Sequence, residues 1–150
     1  MRVIKRFIFI VMLVSTAMLS AHLQPASAGY HHNDAKLIGS WIRTLNPTDS
    51  SGNPCPFVPN TIEFFPDNTM TMSGFGSRHL PYKTALTRVE KHVIEERNPG
   101  FKGRNLLLVL PDPSSNWFYT PMAYAYSVEK NELTITVHGW TPAIFTRVAS

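Results

Sequence analysis

Cysteine is almost absent from this chain, which limits how its fold can be stabilised. The 150 residues contain a single cysteine, Cys55, so a disulfide within one chain is excluded. Cys55 stands between two prolines, a setting that predicts a loop. We expect a reduced and unreactive thiol, because no cationic residue adjoins Cys55 in sequence to stabilise a thiolate. A disulfide between two chains, formed in an oxidising compartment, is the alternative.

Common catalytic motifs are also missing. The sequence contains no Gly-x-Ser-x-Gly, no His-Glu-x-x-His and no phosphate-binding glycine loop. Glu95 and Glu96 are adjacent, and on a strand they would face opposite sides, which makes them a poor acid–base pair. His79, His92 and His138 lack the spacing of metal ligands. We therefore expect a protein that is not an enzyme and holds no cofactor.

Long apolar runs are limited to one, and it lies at the N-terminus. Residues 7–19 are almost wholly apolar and follow a start that carries three basic residues. Ala26, Ser27 and Ala28 supply the small residues typical of a signal-peptide cleavage site. The apolar run is shorter than the roughly 20 residues of a membrane-spanning helix, so a permanent anchor is the weaker alternative. Residues 1–28 are predicted to be a cleavable signal peptide that exports the chain to the periplasm or the medium.

The excess of positive charge is small once this segment is removed. The full chain has 14 Lys and Arg against 10 Asp and Glu. Arg2, Lys5 and Arg6 belong to the predicted signal peptide, so residues 29–150 keep 11 basic and 10 acidic residues, a net charge of +1. A nearly neutral domain lacks the basic surface that nucleic-acid binding requires. We expect no nucleic-acid partner and no stable membrane anchor after cleavage.

Residues 29–150 carry the pattern of one all-β domain. The 12 prolines of the chain separate short segments rich in β-branched and aromatic residues. Residues 133–137 give the clearest strand, because apolar and polar side chains alternate there. Pro66-Asp67-Asn68 predicts a hairpin turn between two further strands. We count eight or nine short strands, a number typical of an antiparallel barrel or sandwich.

Two segments depart from this pattern. Residues 87–95 alternate imperfectly, with Val89 and Val93 on one side of a predicted strand, and an amphipathic helix is the alternative. Asp34 is suited to cap a short helical turn over residues 35–38. The chain is thus predicted to enter its first strand from a helical turn.

The two ends of the predicted domain resemble those of the calycin superfamily. Gly39-Ser40-Trp41 follows the helical turn, and Arg147 lies in the last predicted strand. In lipocalins, fatty-acid-binding proteins and avidins, a Gly-x-Trp begins the first strand, and a basic residue of the last strand packs over the indole ring. The resemblance implies an up-and-down barrel of about eight antiparallel strands, closed by contact between Trp41 and Arg147.

A second likeness lies at the predicted hairpin. Phe65, Asp67 and Thr69 form a Phe-x-Asp-x-Thr pattern that resembles bacterial lipocalin-like domains. Residues 29–150 are therefore interpreted as one lipocalin-like barrel domain. A different β-barrel or a sandwich is the alternative fold.

The calycin resemblance implies a barrel interior that holds either packed side chains or one small molecule. Methionine and aromatic side chains suit an adaptable apolar pocket. The candidate ligand-binding residues are Phe64, Met70, Met72, Tyr124, Tyr126 and Trp140. The leading hypothesis is an exported binding protein for a small apolar or amphipathic molecule.

Two other hypotheses stay open. The first is a protein-interaction module, an inhibitor or an accessory subunit of the cell envelope, with a filled barrel and recognition through residues 46–60 or 74–81. The second concerns the predicted mature N-terminus, Gly29-Tyr30-His31. Its amine, two backbone amides and the His31 imidazole offer the square-planar nitrogen set that Cu(II) and Ni(II) prefer. His31 is therefore a candidate metal ligand.

Overall fold

A closed antiparallel β-barrel is formed by the residues that the computed structural model describes, 33–111 and 120–149. Eight strands follow one another around the barrel in chain order, and the last strand pairs with the first. The strands are β1 (Gly39–Leu45), β2 (Thr61–Phe64), β3 (Thr69–Met72), β4 (Leu80–Lys83), β5 (Asn105–Val109), β6 (Met122–Glu129), β7 (Glu132–Thr136) and β8 (Ala143–Arg147). The prediction of a small up-and-down barrel is confirmed. The predicted signal peptide and His31 lie outside the described residues.

Alternation along the strands separates the barrel interior from its outer surface. In β7, Leu133 and Ile135 are buried, whereas Thr134 and Thr136 lie on the other face. This period of two follows from the pleat, which points successive side chains to opposite faces of a sheet. The interior is consequently apolar, and it is dominated by Trp41, Phe64, Met70, Tyr82, Leu133 and Phe145.

The β2–β3 hairpin turns where the sequence predicts it. Asn68 adopts a positive φ of 66°, a conformation that asparagine tolerates better than most residues. The Asp67 carboxylate accepts hydrogen bonds from the backbone N–H of Thr69 at 3.0 Å and from its hydroxyl at 2.6 Å. The turn therefore fixes the register in which Phe64 faces Met70.

The connection between β4 and β5 contains a helix, α1 (Arg88–Arg97). Thr87 begins it with a capping box, since its hydroxyl accepts from the Glu90 N–H at 3.2 Å and Glu90 accepts from the Thr87 N–H at 2.8 Å. The strand prediction for residues 87–95 is wrong, and the helical alternative holds. The capping box favours a helix, whereas the alternation of apolar and polar residues expected of a half-buried strand is incomplete over residues 87–95.

The outer face of β5 and β6 lies beneath this connection. Ile94 of α1 and Phe101 pack against Leu106 and Ala125 to form a second, smaller apolar cluster outside the barrel. β5 and β6 are therefore buried on both faces along part of their length. Within residues 33–111 and 120–149, no helix is long and apolar enough to cross a membrane.

Candidate functional site

The barrel closes where Trp41 and Arg147 meet. The two residues are paired across the β1–β8 ladder, and the Arg147 guanidinium carbon lies 4.2 Å from the centroid of the Trp41 ring. Trp41 is fully buried and donates its indole N–H to the Leu37 carbonyl at 2.7 Å. Arg147 donates to the carbonyls of Ile38 and Lys36. The 3₁₀-helical turn Ala35–Leu37, strand β1 and strand β8 are thus held together at this point.

Gly39 is required at this junction. Its φ is +120°, and a Cβ atom built on it would lie 2.9 Å from the Arg147 Nη1 atom. Any larger residue would be strained by this backbone conformation, and the Arg147 guanidinium would have to move. The structure therefore brings Gly39, Trp41 and Arg147 together, as expected from the resemblance.

Five predicted ligand-binding residues form part of the packed barrel interior. Phe64, Met70, Met72, Tyr124 and Tyr126 have exposed fractions between 1% and 7%. Such small fractions leave almost no surface on these side chains that a ligand could contact. In this conformation they fill the barrel, and their role in binding stays a prediction.

Trp140 occupies a different place from the other five. It lies in the loop that joins β7 to β8, where its N–H donates to the Val137 carbonyl at 3.1 Å. Its side chain is partly buried against the core and borders a surface depression of about 450 Å³, together with Arg104 and His138. Trp140 is therefore not part of the inward-facing set on the strands.

The chain segment before β1 covers one end of the barrel, which we call the floor. Asn33 accepts from the Thr84 N–H at 2.7 Å and donates to the Tyr82 carbonyl at 2.9 Å. The Asp34 N–H donates to the Thr84 hydroxyl at 2.7 Å. These bonds fix the segment across the barrel end and obstruct entry to the interior from the floor.

Tyrosine hydroxyls form a polar layer near the floor. The Tyr126 hydroxyl donates to the Asp34 carboxylate at 3.1 Å, and the Tyr82 hydroxyl has no hydrogen-bond partner among the described residues. Burial raises the pKa of Tyr126 and of Tyr82, and the Asp34 charge adds to both shifts. Both phenols are therefore neutral at physiological pH.

A largely apolar groove, whose lining also includes Glu90, Arg97, Asn98 and Thr120, lies outside the barrel between α1 and the outer faces of β5 and β6. Its volume is about 510 Å³. Val89 is 72% exposed and Val93 is 41% exposed, although both are apolar. We call this site the outer groove, and its apolar lining consists of Val89, Val93, Ile94, Leu108, Pro121 and Ala123.

The sequence contains a helix pattern that indicates one wall of this groove, and the strand prediction for residues 87–95 overlooked it. Val89, Val93 and Arg97 are spaced by four residues, which places them along one face of a helix. Thr87 and Glu90 supply the capping-box pattern that marks a helix start. Recognising the helix would have identified Val89 and Val93 as neighbours, but not the strands they face.

The loop before β2 places Cys55 out of contact with solvent. Cys55 is 6% exposed, and its backbone N–H donates to the Pro47 carbonyl at 2.8 Å. Burial of the thiol opposes a disulfide between two chains in this conformation. Within the described ranges, no group of three or more His, Cys, Asp and Glu residues is arranged to hold a metal ion.

Comparison with known proteins adds no relative. No protein-family model, curated protein or solved structure matches this chain. The barrel, its filled interior and the outer groove are therefore the features that bear on function.

Proposed function

We propose that this chain is an exported binding protein for a small apolar or amphipathic molecule, which occupies the outer groove while the filled barrel serves as a scaffold. The carrying observation is the exposure of Val89 and Val93 beside the apolar surface of Leu108 and Ala123. A ligand that covers apolar side chains in a concave site removes them from water, which lowers the free energy of the complex. The volume of about 510 Å³ lies within the range of small-molecule sites.

We also propose that the chain is related to the calycins. Support comes from the closed eight-stranded order and from the contact between Trp41 and Arg147. Gly39 adds to it, because its φ of +120° and the close approach of Arg147 both disfavour a side chain there. A relationship of this kind would mean that the ligand site moved from the barrel interior to the outside.

Export remains part of the proposal. The basic start, the apolar run over residues 7–19 and the small residues ending at Ala28 support a signal peptide. The partner is then a molecule of the periplasm or the medium. The near-neutral charge of residues 29–150 supports the absence of a nucleic-acid partner.

A matched pair of variants tests the outer groove. Val93 and Val148 are both 41% exposed, but only Val93 lines the groove. Octyl glucoside, kept below its micelle concentration, serves as a neutral amphipathic probe in calorimetric titrations. We expect Val93→Gln to weaken binding about tenfold, since apolar contact with the octyl group of the probe is lost. Val148→Gln should bind like the unchanged protein, and equal effects of both variants would contradict the proposal.

One observation favours protein recognition as a second candidate function. Phe57 is 58% exposed in the loop over residues 46–60, and this loop is fixed by a turn at Asp49 that accepts hydrogen bonds from Ser51 and Asn53. A fixed loop that presents an aromatic side chain suits a protein partner. Phe57→Asn should then abolish a defined crosslinked complex of the exported protein and leave octyl glucoside binding unchanged. If only Val93→Gln removes the complex, this second candidate is wrong.

A further inference from the structure

A second, smaller pocket lies near the floor of the barrel and shares no lining residue with the outer groove. Its volume is about 220 Å³, and it lies where β4 leaves the barrel and β5 begins. The lining residues that bear on its chemistry are Thr84, Lys91, Arg104, Asn105, Leu106 and Tyr126.

The charged side chains that line this pocket are both basic. Lys91 comes from α1, and Arg104 follows the turn at Gly103, whose φ is +75°. Arg104 is exposed and forms no ion pair with any described residue. Two cations from different chain segments thus line one concave site.

The nearby carboxylates are already engaged. Glu95 lies 3.9 Å from the Lys91 Nζ atom, and it also accepts the Gly103 N–H at 3.0 Å. Asp34 lies behind Tyr126 and accepts its hydroxyl at 3.1 Å. Lys91 is therefore paired with Glu95, and Arg104 supplies the charge that no described carboxylate pairs with.

The size and the donors of the pocket point to one chemical class. A volume of about 220 Å³ corresponds to roughly seven waters at about 30 Å³ each. A guanidinium group binds tetrahedral and planar oxyanions through paired hydrogen bonds, and the Asn105 side-chain amide is a further donor at the pocket wall. The pocket accommodates a group the size of phosphate, and a larger ligand would leave most of its atoms outside it.

We propose that this floor pocket binds a small oxyanion, with inorganic phosphate as its simplest representative, through Arg104 and Lys91. Arg104 supplies a bidentate contact through its planar guanidinium, and Lys91 adds a point charge. Binding at the floor goes beyond the proposed function, since the amphipathic ligand occupies the other side of α1.

Calorimetric titration with sodium phosphate, at constant ionic strength maintained with sodium chloride, tests this inference on the mature protein. We expect saturable binding of one phosphate per chain, weakened about tenfold by Arg104→Gln and less by Lys91→Gln. The control is Lys102→Gln, which removes one positive charge from an exposed neighbour that does not line the pocket. Thermal unfolding of each variant establishes that the fold is retained.

Two results would overturn the floor-pocket proposal. One is the absence of saturable phosphate binding to a folded protein at millimolar concentrations. The other is an equal loss of affinity in Lys102→Gln, which would assign the binding to overall charge rather than to the pocket. Octyl glucoside titrations of Arg104→Gln separate the two sites, because the outer groove should keep its affinity in that variant.

Discussion

The barrel interior and the outer groove are both apolar, but water reaches only the groove. Trp41, Leu133 and Phe145 are fully buried inside the barrel, whereas Val89 and Val93 are 72% and 41% exposed on α1. Burial in the interior removes apolar surface from water during folding and so stabilises the barrel. The valines of the groove contribute little of this stabilisation. The proposed function accounts for their clustering beside Leu108 and Ala123, because a bound ligand would cover them.

The largest difference between the two regions should appear in stability. We expect Leu133→Ala to lower the free energy of unfolding by about 3 kcal/mol, because it leaves a cavity among packed side chains. Val89→Ala should change it by less than about 0.5 kcal/mol, since its side chain already contacts water. Urea unfolding followed by circular dichroism measures both. Similar losses in the two variants would remove the distinction between scaffold and site.

The barrel closure should give the next largest effect. Arg147→Gln loses the contact with the Trp41 ring and the paired donation to the carbonyls of Lys36 and Ile38. We expect a loss of about 1–3 kcal/mol in urea unfolding. Lys130→Gln, in the exposed β6–β7 turn, is the control and should be near neutral. A stable Arg147→Gln protein would show that the β1–β8 ladder alone closes the barrel.

The helix that forms one wall of the groove depends on its capping box. Thr87→Ala removes the hydroxyl that accepts the Glu90 N–H, and it should cost about 1 kcal/mol of stability. Thr87→Ser retains an accepting hydroxyl and should lose much less. If both variants are equally stable, α1 is held by packing of Ile94 alone. The measurement is the midpoint of thermal unfolding at neutral pH.

Alkaline pH should weaken the floor more than the groove. Burial and the Asp34 charge raise the pKa of Tyr126 in the folded protein, so the unfolded chain ionises this phenol first. Its contribution to stability is complete below about pH 10 and is lost as the pH rises towards the folded pKa. Tyr126→Phe should therefore show a shallower fall in unfolding free energy between pH 9 and 11, by up to about 1.4 kcal/mol. An unchanged slope would contradict the shift.

Sequence patterns predicted the barrel because most of its strands and turns are indicated by residues that are close together in the chain. The alternation over residues 133–137 and the turn at Asp67 and Asn68 identify strands and hairpins without knowledge of distant contacts. Gly39 and Trp41 gave the place of closure through the resemblance. These local patterns thus indicated which consecutive strands pair with each other.

The site was less predictable for two physical reasons. Val89 and Val93 are four residues apart, so they would share one face of either a strand or a helix. Only the capping box at Thr87 distinguishes the helix from the strand. Whether the interior is filled depends on how side chains from non-adjacent strands share volume, and no local pattern encodes that. The outer groove also needs the contact of α1 with β5 and β6, which joins distant parts of the chain.

Methyl NMR of the mature protein during titration with octyl glucoside tests the placement of the ligand most directly. Ligand binding in the outer groove predicts that the methyl signals of Val89, Val93 and Leu108 shift with a common saturation curve. The methyl signals of Met70 and Leu133, inside the barrel, should then stay unchanged. Saturable shifts of Met70 and Leu133, with Val89 and Val93 unaffected, would place the ligand inside the barrel and contradict the outer groove.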